Sequence, residues 1–226
     1  MSTIKENLAL FKGKIPESVR LIAVSKTKPI ELLQEAIDAH QLDLGENKVQ
    51  ELREKHEVLS KDVRWHMIGH LQRNKVKYIA AFVYMIHAVD SLKLLREINK
   101  RALENNRSIK VLLQIHIASE EAKFGFSTEE IEDLFKNHAF DEFKNIELSG
   151  LMGMATNTSD TDLIRSEFSG LQSLFIKLKS VYPEFSDFSE ISMGMSNDYE
   201  IAIEEGSSMI RIGSSIFGAR NYPVNT

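Results

Sequence analysis

The chain has 226 residues, with 28 Lys+Arg against 33 Asp+Glu and a net charge of −5 at pH 7. Its 42% hydrophobic and 27% charged residues suffice for a sizeable core and exclude wholesale disorder. The acidic balance argues against a nucleic-acid module, and zero Cys excludes a disulfide scaffold, a thiol nucleophile and a thiolate-bound zinc or iron–sulfur centre.

The opening residues, MSTIKENLALFKGKIPE, are charged throughout and lack an apolar h-region, so no secretory signal is expected. No stretch nears the roughly 18 apolar residues of a membrane span, and a cytoplasmic location is the expectation. An amphipathic helix over residues 3–11 comes first. The first strand, 20–27 (RLIAVSKT), is followed by a helix over 30–40 that stripes Ile30, Leu33 and Ile37 on one face. A second strand at 42–46 (LDLGE) leads into a helix over 48–59, then a third strand at 65–70 (WHMIGH). The fourth strand, 84–89 (YMIHAV), precedes a helix over 91–104 with Asp90-Ser91 as its cap. The fifth, 110–118 (KVLLQIHIA), precedes a helix whose start is marked by Ser127-Thr128-Glu129-Glu130. The sixth, 148–155 (LSGLMGMA), is followed by the longest helix, 162–180. The seventh, 190–195 (EISMGM), a short helix over 199–205 and the eighth, 209–216 (MIRIGSSI), complete the series.

No Ser/Gly/Pro-rich linker interrupts this series, so residues 1–226 read as a single domain. Eight strands alternating with helices predict a parallel sheet buried on both faces. The fold class expected is α/β, a compact (β/α)₈ TIM barrel, with the extra N-terminal helix in the place of a missing eighth one. An open doubly wound sheet is the alternative.

Function in such a barrel gathers where the strands end. Lys26 ends the apolar run Leu21–Ser25, where an ammonium must be desolvated or deprotonated; such lysines serve as Schiff-base nucleophiles. Lys28, before Pro29, reads as an ordinary loop lysine. Ser192-Met193-Gly194-Met195-Ser196-Asn197-Asp198 runs from a strand into a helix, so Ser196 or Asn197 would cap it beside an anion site. Arg211 lies inside an apolar strand and needs an anion or acceptor, with Gly213-Ser214 following as backbone donors. Barrel phosphate sites favour the loops after strands seven and eight, which these segments occupy. Gly45-Glu46-Asn47 offers a carboxylate in need of a cation and an amide that could also cap the next helix. His66 and His70 share one strand side, but with no third ligand in view no metal site is expected. Asp160 and Asp162 read as a solvated helix face, and Met152, Met154, Met193 and Met195 as core or pocket lining.

On AVSKTKP (23–29), GENKVQE (45–51), WHMIGHLQRNKVK (65–77), SGLMGMA (149–155) and SMGMSNDYEIAIEEGSSMIRIGSSIFGAR (192–220), the sequence closely resembles the pyridoxal phosphate homeostasis protein family, from Ala9 to Tyr222. The resemblance implies the alanine racemase N-terminal-domain type of barrel with pyridoxal 5′-phosphate as cofactor. It implies that Lys26 forms the Schiff base and that Asn47 lies beside the ring. Ser192 and Ser196 would stand near the phosphate, with the Gly213-Ser214 backbone. Arg211 would face the pyridine nitrogen and His66 would line the pocket. Leu44, Lys48 and His70 depart from the residues common at those places in the family.

An arginine at the ring nitrogen disfavours its protonation and makes the cofactor a weaker electron sink. Racemases of this type carry a second β-domain that supplies a catalytic tyrosine, for which 226 residues leave no room. The expectation is therefore a monomeric binder that buffers or carries pyridoxal phosphate within the cell, without robust turnover, for cofactor-dependent apo-enzymes. A small-amino-acid racemase and a cofactor-free aldolase using Lys26 are the alternatives.

Overall fold

The computed structural model describes residues 3–119 and 124–218; the final residues of the last segment quoted above, 219–220, lie outside them. Eight parallel strands pair in chain order: β1 (Arg20–Val24), β2 (Asp43–Glu46), β3 (Arg64–Met67), β4 (Met85–Val89), β5 (Ile109–Gln114), β6 (Ile146–Met152), β7 (Glu190–Ser192) and β8 (Met209–Ile212). The ladder closes between β1 and β8, with Arg20 beside Met209 and Ala23 beside Ile212. The closed barrel is found and the open sheet is not.

Around it stand α1 (Ile4–Lys12), α2 (Ile30–Asp38), α3 (Val49–Val58), a 3₁₀ helix (Arg73–Tyr78), α4 (Leu92–Glu104), α5 (Thr128–Lys136), α6 (Thr161–Val181), α7 (Tyr199–Glu204) and α8 (Ser214–Phe217). The eighth helix is a single turn. As expected, α1 fills the gap by packing on α2 and α8, and the Asn7 amide donates to the Ile216 carbonyl at 2.9 Å.

The strands stop sooner than their composition suggests: β1 at Val24, β5 at Gln114, β7 at Ser192, β8 at Ile212. Past these ends only single backbone bonds to the neighbouring strand remain, from the N–H groups of Ser25 to the Gly45 carbonyl, Ile115 to Met152 and Met193 to Met209, and hydropathy does not register where the regular ladder stops. Side-chain oxygens cap α4 (Ser91) and α5 (Ser127, in a capping box with Glu130) where the sequence indicated. Asp160, expected on a solvated face, caps α6 by accepting from the backbone N–H groups of Asp162 and Leu163. Neither Asn47 nor Ser196 or Asn197 is a cap residue; Lys48 and Asp198 hold those positions.

Strand alternation divides the core. Outward residues such as Leu44, Trp65, Ile86, Val111 and Leu151 meet the helices in one large apolar layer. Inside the barrel, Met85, Ala88, Leu112, Met152 and Met209 form a small apolar plug. Much of the remaining interior is polar: Asp43, His66, His87, Ser192 and Arg211 are all buried there. A buried polar group without a partner costs about 1–3 kcal/mol, so this interior requires a connected network.

Candidate functional site

A cavity of about 330 Å³ opens at the C-terminal end of the barrel. Its wall includes Lys26, Asn47, Ser196, Arg211, Gly213 and Ser214, so six of the eight expected site residues share one pocket. Met154, Asn157, Thr158 and Met195 complete much of the rim.

Lys26 is not on the strand, as its apolar run implied, but half-buried on the tight turn that follows. Three charged side chains staple this turn. The Lys55 ammonium donates to the Ser25 carbonyl, to Glu46 Oε1 and to Glu51 Oε1, each at 2.7 Å. The Ser25 hydroxyl donates to Glu46 Oε1 at 2.6 Å, and the Thr27 N–H donates to Glu51 Oε1 at 2.5 Å. Thr27 takes φ 61°, a left-handed conformation that a β-branched residue adopts only when its surroundings impose it. Burial pushes the Glu46 carboxyl up to about 7, against the pull of Lys55. The cation that Glu46 called for is thus Lys55, from the middle of α3.

Asn47 follows directly on β2. A Cβ at Gly69 would come within 2.6 Å of the Asn47 carbonyl oxygen and 2.8 Å of its Cα, so only glycine lets the β3 loop press Asn47 into place. Lys28 is no ordinary loop lysine: its ammonium donates to the carbonyls of Phe217 at 3.1 Å and Gly218 at 2.8 Å, tying the end of α8 to the same rim.

Arg211 is 4% exposed. Its Nη1 donates to Ser192 Oγ at 2.6 Å and its Nη2 to the Gly153 carbonyl at 3.0 Å. Burial lowers its guanidinium to about 10, while Asp198 pulls the other way. Asp198, also on the cavity wall, accepts from the Met195 N–H at 2.5 Å, and burial raises its carboxyl. Opposite, the Ser214 hydroxyl donates to Ser196 Oγ at 3.3 Å, so two hydroxyls and the start of α8 share one corner. A Cβ at Gly213 would meet the Val24 carbonyl oxygen at 3.3 Å, tight enough to shift the strand end.

His66 and Ser192 require correction. Neither lines the cavity, and both are fully buried beneath it. His66 points inward from β3, and its ring is held below the mouth by its contacts with Asp43 and His87. Ser192 lies behind Arg211, with its hydroxyl 3.0 Å from His87 Nδ1. His70 is far from sharing a site with His66: it is exposed, 3.0 Å from Asp90 Oδ2 and against the Phe124 ring.

Sequence reading missed Lys55, Glu51 and Asp198. The Glu51–Lys55 spacing of four on a helix was a usable signal for a pair, but not for its burial. Asp198 was hidden behind the better-known capping residues just before it.

A barrel with a lysine, an arginine and a hydroxyl-lined corner at its mouth defines a class, and comparison with known proteins agrees. The profile of the alanine racemase N-terminal domain matches residues 1–221. Pyridoxal phosphate homeostasis proteins from Aquifex aeolicus and Escherichia coli are 38% and 36% identical, over 93% and 98% of this chain and 91% and 99% of theirs. The chain belongs to the pyridoxal phosphate homeostasis protein family. The structure of PipY from Synechococcus elongatus with pyridoxal phosphate bound superposes with a TM-score of 0.87 at 32% identity, covering 96% of this chain and all of that one. Alanine racemase from Clostridium difficile shares the fold, at TM-score 0.74 and 16% identity, and this chain spans 57% of its length. Among the described residues, no helix is long and apolar enough to cross a membrane.

Proposed function

We propose that this chain holds pyridoxal 5′-phosphate in the mouth cavity, attached through Lys26, and serves to buffer or carry it without sustained turnover. The carrying observation is the convergence of Lys26, Arg211, Ser196 and Ser214 on one pocket of about 330 Å³. The donor set fits the group. An amine on a braced turn meets an aldehyde, and two hydroxyls with the first N–H groups of α8 suit a phosphate. Asn47 would lie along the ring and Arg211 at its nitrogen. Bound there, the cofactor supplies an aldehyde for imine chemistry and a ring able to withdraw electrons.

The protein's own residues set how far that goes. Arg211 is a permanent donor, so it disfavours a proton on the ring nitrogen and favours retention over broad carbanion chemistry. Glu46, Glu51 and Lys55 keep the turn of Lys26 fixed, and Lys28 closes the rim. In the same reading, residues 1–226 act as one domain, monomeric and cytoplasmic, passing the cofactor to apo-enzymes that depend on it.

Titrating the protein with pyridoxal phosphate while following visible absorbance tests this. The reading expects saturable binding that Lys26→Ala abolishes and Arg211→Met weakens. Incubation with L-alanine followed by chiral separation addresses turnover; D-alanine formed at a rate that disappears in Lys26→Ala would favour the racemase reading instead.

A further inference from the structure

Five polar side chains of the barrel interior are joined end to end, and the cavity touches one end only. Arg211 Nη1 reaches Ser192 Oγ at 2.6 Å, and Ser192 Oγ lies 3.0 Å from His87 Nδ1. His87 Nε2 is 2.9 Å from His66 Nδ1, and His66 Nε2 is 3.0 Å from Asp43 Oδ1. Beyond it, Arg64 donates to both Asp43 oxygens, at 2.7 and 2.5 Å.

The two ends fix the direction of every hydrogen between them. A guanidinium only donates and an ionised carboxylate only accepts. Asp43 must therefore receive its hydrogen from His66 Nε2. A doubly protonated His66 would also donate from Nδ1, forcing His87 Nε2 to accept and His87 Nδ1 to donate to Ser192. Ser192 Oγ would then face two donors, and its own hydrogen would have no acceptor in the chain. With both rings neutral and protonated at Nε2, each hydrogen finds one acceptor, and the Ser192 hydroxyl turns away from the cavity toward His87. Burial lowers the proton affinity of both rings, in keeping with that assignment.

We propose that Asp43, His66, His87 and Ser192 are positioning residues for Arg211, a one-way hydrogen-bond chain that anchors its guanidinium at the floor of the cavity. The proposal rests on the cofactor reading above and deepens it, by explaining why two histidines and an aspartate occupy a barrel interior that apolar residues would fill. Arginine has many rotamers; a charge-assisted bond at Nη1 and a carbonyl at Nη2 leave it one.

The test begins with ring-¹⁵N NMR of the unaltered chain, with and without pyridoxal phosphate, near neutral pH. The expected result is that His66 and His87 are both neutral and protonated at Nε2. A protonated Nδ1 on either ring of the folded protein overturns the proposal, whatever any variant does. Variants follow. His87→Gln keeps one acceptor and one donor; His87→Leu keeps neither. In His87→Leu, distinct Arg211 Nη resonances should merge, pyridoxal phosphate affinity should fall about tenfold, and the visible band of the loaded protein should change its pH dependence. His87→Gln should restore a large part of each. Unchanged Arg211 resonances and an unchanged band in folded His87→Leu contradict the proposal. Borohydride labelling separates the two readings: failure of unaltered protein to label at Lys26 defeats the cofactor assignment, whereas labelling with no effect of His87→Leu defeats only the positioning chain.

Discussion

Replacing Lys55 with methionine probes the brace under Lys26. The Lys55 side chain is 6% exposed and that of Glu46 fully buried, so the ammonium cannot be exchanged for water. Its removal deletes three bonds of 2.7 Å and leaves the Glu46 carboxylate with the Ser25 hydroxyl as its remaining donor among the described residues. Breaking a buried ion pair from one side costs about 3–5 kcal/mol. In a domain of this size that lowers Tm by roughly 10 °C. The cost should depend on pH. Burial already pushes the Glu46 carboxyl up to about 7, and loss of Lys55 raises it further. At pH 8 the variant must either bury a bare carboxylate or take up a proton that the unfolded chain does not hold, whereas near pH 5.5 it buries an acid that is already neutral. Urea unfolding followed by fluorescence of the single tryptophan, the buried Trp65, measures both conditions. The expected loss is several kcal/mol at pH 8 and clearly less at pH 5.5, with much of it recovered by adding Glu46→Leu. A loss below about 1 kcal/mol at pH 8, or an equal loss at both pH values, refutes the reasoning.

Gly69→Ala should drive the β3 loop against the Asn47 backbone, costing about 1–3 kcal/mol and weakening pyridoxal phosphate binding in an absorbance titration; unchanged affinity would detach Asn47 from the site. Thr27→Gly should relieve the left-handed φ and stabilise the protein by about 1 kcal/mol, the strain of about 1–3 exceeding the glycine entropy of about 0.5–1. Its melting temperature tells, and a fall would mean the turn is not strained. The interior histidines set an acid limit. Unfolded, each takes up a proton below about pH 6.5, while burial lowers the proton affinity of both in the fold, His66 against the pull of Asp43. The unfolded state then holds more protons, and stability falls with pH by up to about 1.4 kcal/mol per unit for each ring. His66→Gln and His87→Gln should each flatten that slope in urea titrations between pH 5 and 7, and an unaltered slope would argue against buried neutral rings.

The barrel was legible because its signal is repetition: eight apolar runs separated by helices leave few alternatives, and each run lies where a strand is found. Strand ends were less so, since residues 115–118 and 193–195 keep a strand-like composition beyond the end of the regular ladder, and single backbone bonds such as Met193 N–H to the Met209 carbonyl persist there. Lys26, Arg211 and Gly213-Ser214 stood out as charges or glycines where strands should continue, and they share the pocket. His66 and Ser192 did not separate from the mouth residues because alternation tells which face a side chain takes, not its depth in the barrel. Lys55 and Asp198 act across the fold, through partners 9 and 13 positions away in sequence (Glu46 and Arg211), and local patterns carry no record of such pairings.

The central claim is that Lys26, among 28 Lys+Arg residues, holds the cofactor. Loading the protein with pyridoxal phosphate, reducing it with borohydride and mapping the modified peptide tests this most directly. The account predicts loss of the visible band and one stable phosphopyridoxyl group on Lys26. A label on Lys28, a label scattered over surface lysines, or none at all would contradict it.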